Sequence, residues 1–277
     1  MVVDKPHVAV LPNMGLGHLI PHLEFAKRLV VHHGIRVSLL VITTSEPSAA
    51  AQGQLLSSPH LPPDLNIVRL PPVDKMILDH DDALVTDLFA TQAFDVCKEL
   101  SIPAYLYSTT SAAFNAFMLY LAKLDNDVKC EFIDLPRPIQ VPGCSPIQID
   151  DLLDQVRNRK IDEYKWFLYH VSRLPLATGI IINSWQDLEP MSIKSIRHNP
   201  FFKKIPTPPI YPVGPIIKQE ETLSNTADLE CLEWLDKQPP DSVLFLTFGS
   251  GGTLSFEQQT ELVWALTLLI YMAGSIY

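Results

Sequence analysis

Basic residues are in short supply in this sequence: 21 Lys and Arg stand against 31 Asp and Glu, a formal charge of −10. No Lys/Arg cluster offers the phosphate neutralisation that nucleic acid requires, so nucleic acid is not an expected partner. The four cysteines (Cys97, Cys130, Cys144, Cys231) have no CxxC spacing and no partnering histidine cluster. They read as reduced thiols of a cytoplasmic protein. The opening MVVDKPHVAVLP contains charges and lacks a secretory apolar region. The uncharged stretch after Glu261 falls short of the ~20 residues of a membrane span, so no stable anchor is expected. No internal repeat is visible. What is present is apolar residues at 47% against 19% charged, over 277 residues. That composition is globular, and a chain of this length buries roughly 75% of its unfolded surface as one large domain or two ordinary ones.

The first ninety residues alternate strand and helix signals. The run His7 to Leu11 (HVAVL) ends at Pro12 and is followed by the turn Asn13-Met14-Gly15-Leu16-Gly17. From His18 to Val31, Leu19, Leu23, Phe25, Ala26 and Leu29 recur at helical spacing. Val37 to Thr43 is apolar at nearly every position. Near-continuous apolar strands separated by amphipathic helices predict an α/β fold, a parallel sheet covered on both faces. Further strands are expected at Asn66 to Leu70, Ala83 to Thr86, Ala104 to Tyr107 and Gly179 to Asn183. Helices are expected over Ala90 to Leu100, Ser111 to Ala122 and Asp162 to Leu174. Pro136 to Pro146 reads as a long surface loop of the kind that shapes a pocket. Pro200 to Pro215 with the polar Lys218 to Asp228 reads as a domain exit and linker. A new strand is expected at Ser242 to Phe248. Between Leu70 and Ala83 only twelve residues are available, including Pro71 and Pro72. A parallel crossover needs at least that many, normally with a helix, so this connection is either strained or missing a helix.

The chemistry-bearing residues cluster after strands. Gly15-x-Gly17-His18 sits between a strand and a helix. Two glycines permit close approach to a ligand, and the helix start offers free amides and a positive dipole end. An imidazole there titrates near neutrality, so His18 is a candidate general base toward a hydroxyl; a capping or packing histidine is the plainer alternative. Asp87 ends the ALVT strand. Parallel strand ends converge, so Asp87 is placed to approach His18 and fix its tautomer, or to cap the helix that follows; the two roles are compatible. Gly249-Ser250-Gly251 follows the Ser242 to Phe248 run and suits phosphate oxygens, although no Gly-Lys-Ser/Thr of a Walker loop is present. A dinucleotide-binding oxidoreductase is the competing class. Ile20 occupies its third glycine position, while Glu46 would stand for its ribose-binding acid. His18 and His22 are four apart, but Pro21 intervenes and no third ligand suggests itself, so no metal is expected.

HVAVLPNMGLGHLIPHLEFAKRL, LVTDLFATQAFDVCKEL, KLDNDVKCEFIDLPRPIQVPGC, GIIINSWQDLEP, PPIYPVGPI and ECLEWLDKQPPDSVLFLTFGSGGTLSFEQ together resemble the plant family-1 UDP-dependent glycosyltransferases, of the hydroquinone or monolignol glucosyltransferase type. The resemblance is collinear from residue 6 to about 266. It implies the two Rossmann-like domains of the GT-B fold: an acceptor-binding domain over residues 1–215, a linker over 216–240 and the start of a UDP-sugar domain over 241–277. It implies inverting transfer of a sugar, glucose first, from UDP-sugar to a small phenolic or lipophilic acceptor. The UDP-sugar is a co-substrate, and there is no cofactor or metal. On this resemblance His18 is the base and Asp87 its support. Gly17, Thr110, Gly249, Ser250 and Gly251 contact the donor; Met14, Phe89 and Phe114 contact the acceptor. A monomer is expected. Three departures stand out. Met14 replaces a proline or small turn residue. The short connection before Ala83 threatens the placement of the Asp87 strand. The long C-terminal donor signature is absent before Tyr277, so a truncated chain that binds acceptor or a partner without catalysis is the alternative.

Overall fold

The structure is a computed structural model that describes residues 5–13, 15–42, 48–70, 82–217, 226–248 and 254–274. The chain divides into two compact units, Met1–Lys218 and Gln219–Tyr277.

In the first unit, β1 (His7–Leu11), α1 (Leu16–His33), β2 (Arg36–Ile42), α2 (Ser48–Leu56) and β3 (Leu65–Leu70) follow in succession. Next come β4 (Ala83–Thr86), α3 (Ala93–Glu99), β5 (Ala104–Ser108), α4 (Ala112–Asp127), α5 (Asp154–Arg157) and α6 (Asp162–Ser172). The unit closes with β6 (Gly179–Ile182), α7 (Pro190–His198), α8 (Pro200–Lys204) and β7 (Ile210–Pro212). All strands are parallel in one seven-stranded sheet of order β3-β2-β1-β4-β5-β6-β7. The order reverses between β1 and β4, and in open α/β sheets ligands bind beyond the carboxyl ends of the strands at such a switch point.

Successive side chains of a strand point to opposite faces, and both faces are buried here. Val10, Val37, Leu39, Val41 and Val85 pack under Leu19, Leu23 and Ala26 of α1. Ala9, Leu11, Leu40 and Leu84 pack under Ala93, Phe94 and Cys97 of α3 on the opposite side. Leu106, Ile180 and Ile182 continue that side beneath α4, α6 and α7. Each fully buried leucine is worth about 1.5–3 kcal/mol relative to exposure, an upper figure because unfolded chains already hide some surface.

Three expectations are corrected. Pro200 to Pro215 runs up to the division after Lys218 as an exit would, but it is structured: it forms α8 and the edge strand β7, whose Ile210–Pro212 pair with Ile180–Ile182. An edge strand tolerates proline because one side of it needs no donor. Pro136 to Pro146 is not wholly at the surface, since Ile139 and Val141 are buried in the main core and Ile139 bridges to Ile147. Its Gly143, at φ 82°, lies so close to α7 that a Cβ would stand 2.2 Å from the Ser195 Cβ. The helix expected from Ala90 to Leu100 is shorter, a 3-10 turn over Leu88–Ala90 followed by α3.

The connection between β3 and β4 (71–81) lies outside the described residues. Its shortness does not displace β4, which runs parallel to β1 with Val8↔Ala83 through Leu11↔Thr86.

The second unit contains α9 (Thr226–Leu235) and α10 (Phe256–Gly274). Residues 242–248 form no strand, contrary to expectation, and are exposed, Phe245 at 82%. A strand requires a neighbouring strand to take up its N–H and C=O groups, and among the described residues no strand pairs with this run. No helix among the described residues is long and apolar enough to cross a membrane.

Candidate active site

Two strand ends at the switch point build the site. Beyond β1, Gly15 adopts φ 102°, ψ 147°, a region that L side chains rarely enter. Its carbonyl accepts the N–H of His18 at 3.2 Å and of Leu19 at 3.0 Å, which starts α1 and puts His18 in the first turn. Gly17 is exposed, and a Cβ there would meet nothing within 4 Å. Proline has no N–H, so Pro21 leaves the Gly17 carbonyl without its usual helical donor. Beyond β4, the Asp87 N–H is held by the Leu11 carbonyl at 3.1 Å. Its Oδ1 accepts the Phe89 N–H at 3.0 Å, capping the 3-10 turn.

The other carboxylate oxygen, Oδ2, is 2.8 Å from His18 Nδ1. A carboxylate only accepts, so Nδ1 carries the hydrogen and the neutral ring keeps its lone pair on Nε2. Asp87 is nearly buried, at 4% side-chain exposure, while His18 retains 33%. The hydrogen bond to Asp87, reinforced by the carboxylate's charge, raises the His18 pKa above the ordinary 6.5 against the opposing effect of burial. For Asp87, burial alone would raise the pKa; the hydrogen bond and charge of His18 outweigh it and hold the carboxyl below its ordinary value. A partly open imidazole backed by a buried anion can take a proton from a hydroxyl and hold it as an imidazolium. Both sequence readings of Asp87, helix cap and histidine partner, therefore coexist.

Aromatic rings continue from this pair. Phe89 meets His18 edge to face at 5.9 Å and also lies against Phe167 at 6.4 Å and His170 at 5.8 Å. Phe114 joins the same group through Phe167 at 6.5 Å. Phe114 and Phe117 line a cavity of about 370 Å³ with Cys144, Pro146, Ile147 and Leu152, so the Pro-rich loop does shape a pocket. Thr110 is exposed just past β5, its hydroxyl 2.9 Å from Ser108 Oγ and 3.4 Å from Asn115 Nδ2. Glu189 holds the adjacent start of α4, accepting from the Ala112 and Ala113 N–H groups at 2.8 and 3.0 Å.

The structure thus brings His18, Asp87 and Phe89 together, places Gly17 and Thr110 at the same carboxyl edge of the sheet, and sets Phe114 one ring further on. Met14, Gly249, Ser250 and Gly251 lie outside the described residues, as does Glu46. Among the described residues no group of three or more His, Cys, Asp or Glu could hold a metal ion. Sequence reasoning missed Phe167 and His170, because aromatic and histidine residues at helical spacing read as ordinary core, and it weighed His22 only as a metal ligand.

Comparison with known proteins decides the family. The chain is 42% identical to UDP-glycosyltransferase 72B1 of Arabidopsis thaliana over 296 aligned positions, covering 94% of this chain and 60% of that protein. It is 40% identical to hydroquinone glucosyltransferase of Rauvolfia serpentina, covering 95% and 61% respectively. The chain is a homologue of plant UDP-dependent glycosyltransferases over about 60% of their length. Phytolacca americana UGT2, solved with UDP-2fluoro-glucose and pterostilbene, superposes on this chain with a TM-score of 0.82 at 39% identity. That match covers 97% of the present chain and 65% of UGT2. No family model matches. The chain spans about 60% of the length of the curated UDP-glycosyltransferases it matches.

Proposed function

We propose that the protein transfers a sugar, glucose first, from a UDP-sugar to the hydroxyl of a small phenolic or similarly lipophilic acceptor, with inversion at the anomeric carbon. The observation that supports this most is the 2.8 Å contact between His18 Nδ1 and buried Asp87, with the His18 ring still partly open. The acceptor O–H gives its proton to His18 Nε2. The oxygen bonds to the anomeric carbon, the bond from that carbon to the diphosphate breaks, and UDP departs with the electron pair. Asp87 stabilises the imidazolium. A phenol has a pKa of about 10, so base assistance is worth on the order of 10²–10⁴ in rate.

Phe89 and Phe114 supply apolar walls suited to an aromatic acceptor, and Met14 is assigned to the same acceptor by resemblance. The relative named for hydroquinone and the neighbour solved with pterostilbene favour the same class. Gly17, Thr110, Gly249, Ser250 and Gly251 are assigned to the donor. Backbone amides and hydroxyls meet its diphosphate, and no metal or other cofactor takes part. Residues 1–215 hold the acceptor, 216–240 link, and 241–277 begin the donor domain. The protein works as a cytoplasmic monomer.

The test is product formation by the purified chain with UDP-glucose and a panel of simple phenols, with the anomer read by proton NMR. A β-glucoside supports the proposal, and an α-glucoside contradicts inversion. A second reading, acceptor binding without transfer, is favoured by the exposed residues 242–248, which form no strand. Phenol binding in the absence of any glucoside would establish it.

A further inference from the structure

Behind the His18–Asp87 pair lies a third ionisable group that the proposed mechanism leaves unused. His22, one turn along α1, is 0% exposed. Its Nδ1 is 2.8 Å from the His18 carbonyl oxygen. A carbonyl only accepts, so Nδ1 carries the hydrogen and Nε2 of the neutral ring is bare. That Nε2 is buried without a hydrogen-bond partner. It lies 3.9 Å from Asp87 Oδ2, the oxygen that also contacts His18. On the remaining side Tyr107 of β5 meets the ring edge to face at 4.9 Å. The groups facing His22 are therefore the Asp87 carboxylate, the His18 imidazole and the Tyr107 phenol, whose own pKa burial raises. The orphaned imidazole nitrogen carries a desolvation penalty, and what it presents to Asp87 is a lone pair rather than a donor.

We propose that His22 is a positioning residue that reserves Asp87 Oδ2 for His18: its one hydrogen is tied to the His18 carbonyl, so it offers the carboxylate no donor. The inference rests on reading His18 as the base. A donor at position 22 would divide the carboxylate between two partners, and His18 would hold its proton less tightly. Burial acts in the same direction, since desolvation outweighs the attraction of Asp87 and keeps the second proton off His22.

The test follows the ring signals of isotopically labelled histidine through a pH titration of the whole chain, in wild type, His22→Leu and His22→Gln. His22→Gln presents an amide donor to Asp87 and is expected to lower the His18 pKa by about half a unit or more. His22→Leu fills similar space without a donor and is expected to leave it within about 0.2 unit of wild type. A glutamine variant that titrates like wild type overturns the proposal. So does a leucine variant that falls as far as the glutamine one, because the effect would then be packing. If the near-ultraviolet circular dichroism of His22→Gln departs from wild type, His22→Asn, also an amide donor, takes its place. The titration does not depend on sugar transfer. A chain that transfers normally with His18→Ala would sink the catalytic reading while leaving this coupling measurable.

Discussion

His18 and Asp87, 69 residues apart in sequence, meet at 2.8 Å because the strands that deliver them are neighbours across the β1/β4 switch point. Backbone bonds fix both ends: Gly15 starts the helix under His18, and the Leu11 carbonyl pins the Asp87 amide. The imidazole therefore needs little reorganisation to serve as a base, which is the condition for positioning to aid catalysis.

Asp87→Asn removes the anion while keeping the shape. The transfer rate is expected to fall on the order of 10²–10⁴, because the imidazolium loses its partner and the tautomer is no longer fixed. Steady-state kinetics with a simple phenol measures the loss; an unchanged kcat would show that Asp87 acts only as a helix cap.

The His18 pKa lies above 6.5, raised by the hydrogen bond to Asp87. The proton is bound more tightly in the folded state, so the stabilisation from this pair is fully present below pH 6.5 and is lost as pH rises through the higher folded value. Urea midpoints of wild type and His18→Ala should converge on passing from pH 6 to pH 9. The transfer rate should move the opposite way with pH, falling on the acid side as His18 protonates.

His170 behaves in the reverse sense. Burial, helped by the nearby Arg173 charge, pushes its pKa down to about 4, and its Nδ1 is 2.7 Å from Thr91 Oγ1. The fold holds it neutral, so its contribution is intact above 6.5 and is lost as pH falls toward about 4. His170→Phe should flatten that part of the acid limb of stability, read as the pH dependence of the thermal midpoint. An equally steep limb in the variant would assign acid unfolding to other groups.

Gly143→Ala should destabilise the first unit by about 2–4 kcal/mol, from positive φ plus overlap. The new Cβ would stand 2.2 Å from Ser195 Cβ and 3.0 Å from the Met191 carbonyl. Urea unfolding measures the change. Cys144, Pro146 and Ile147 line the Phe114 cavity just beyond this glycine, so weaker phenol binding should accompany it.

The parallel sheet was legible because buried parallel strands such as HVAVL and VSLLVI are apolar on both faces, and their helices repeat at helical spacing. The His18–Asp87 meeting was legible for a related reason: strands of one direction end on one edge. Contacts between distant helices and loops left no local trace. Thr91 and His170 are 79 residues apart, and nothing around either announces the other. Pro200–Pro215 has the composition of a linker yet supplies an edge strand, since β6 offers it a ladder. Residues 242–248 have the composition of a strand yet form none, since no strand pairs with them among the described residues. Pairing decided both outcomes, and pairing is not a local property.

The proposed reaction rests on one step, the transfer of the acceptor's proton to His18. Its most direct test is the rate of glucoside formation from UDP-glucose and hydroquinone by wild type and His18→Ala, both confirmed as folded. Product is expected to fall on the order of 10²-fold or more in the variant. A His18→Ala chain that forms glucoside at the wild-type rate would contradict it.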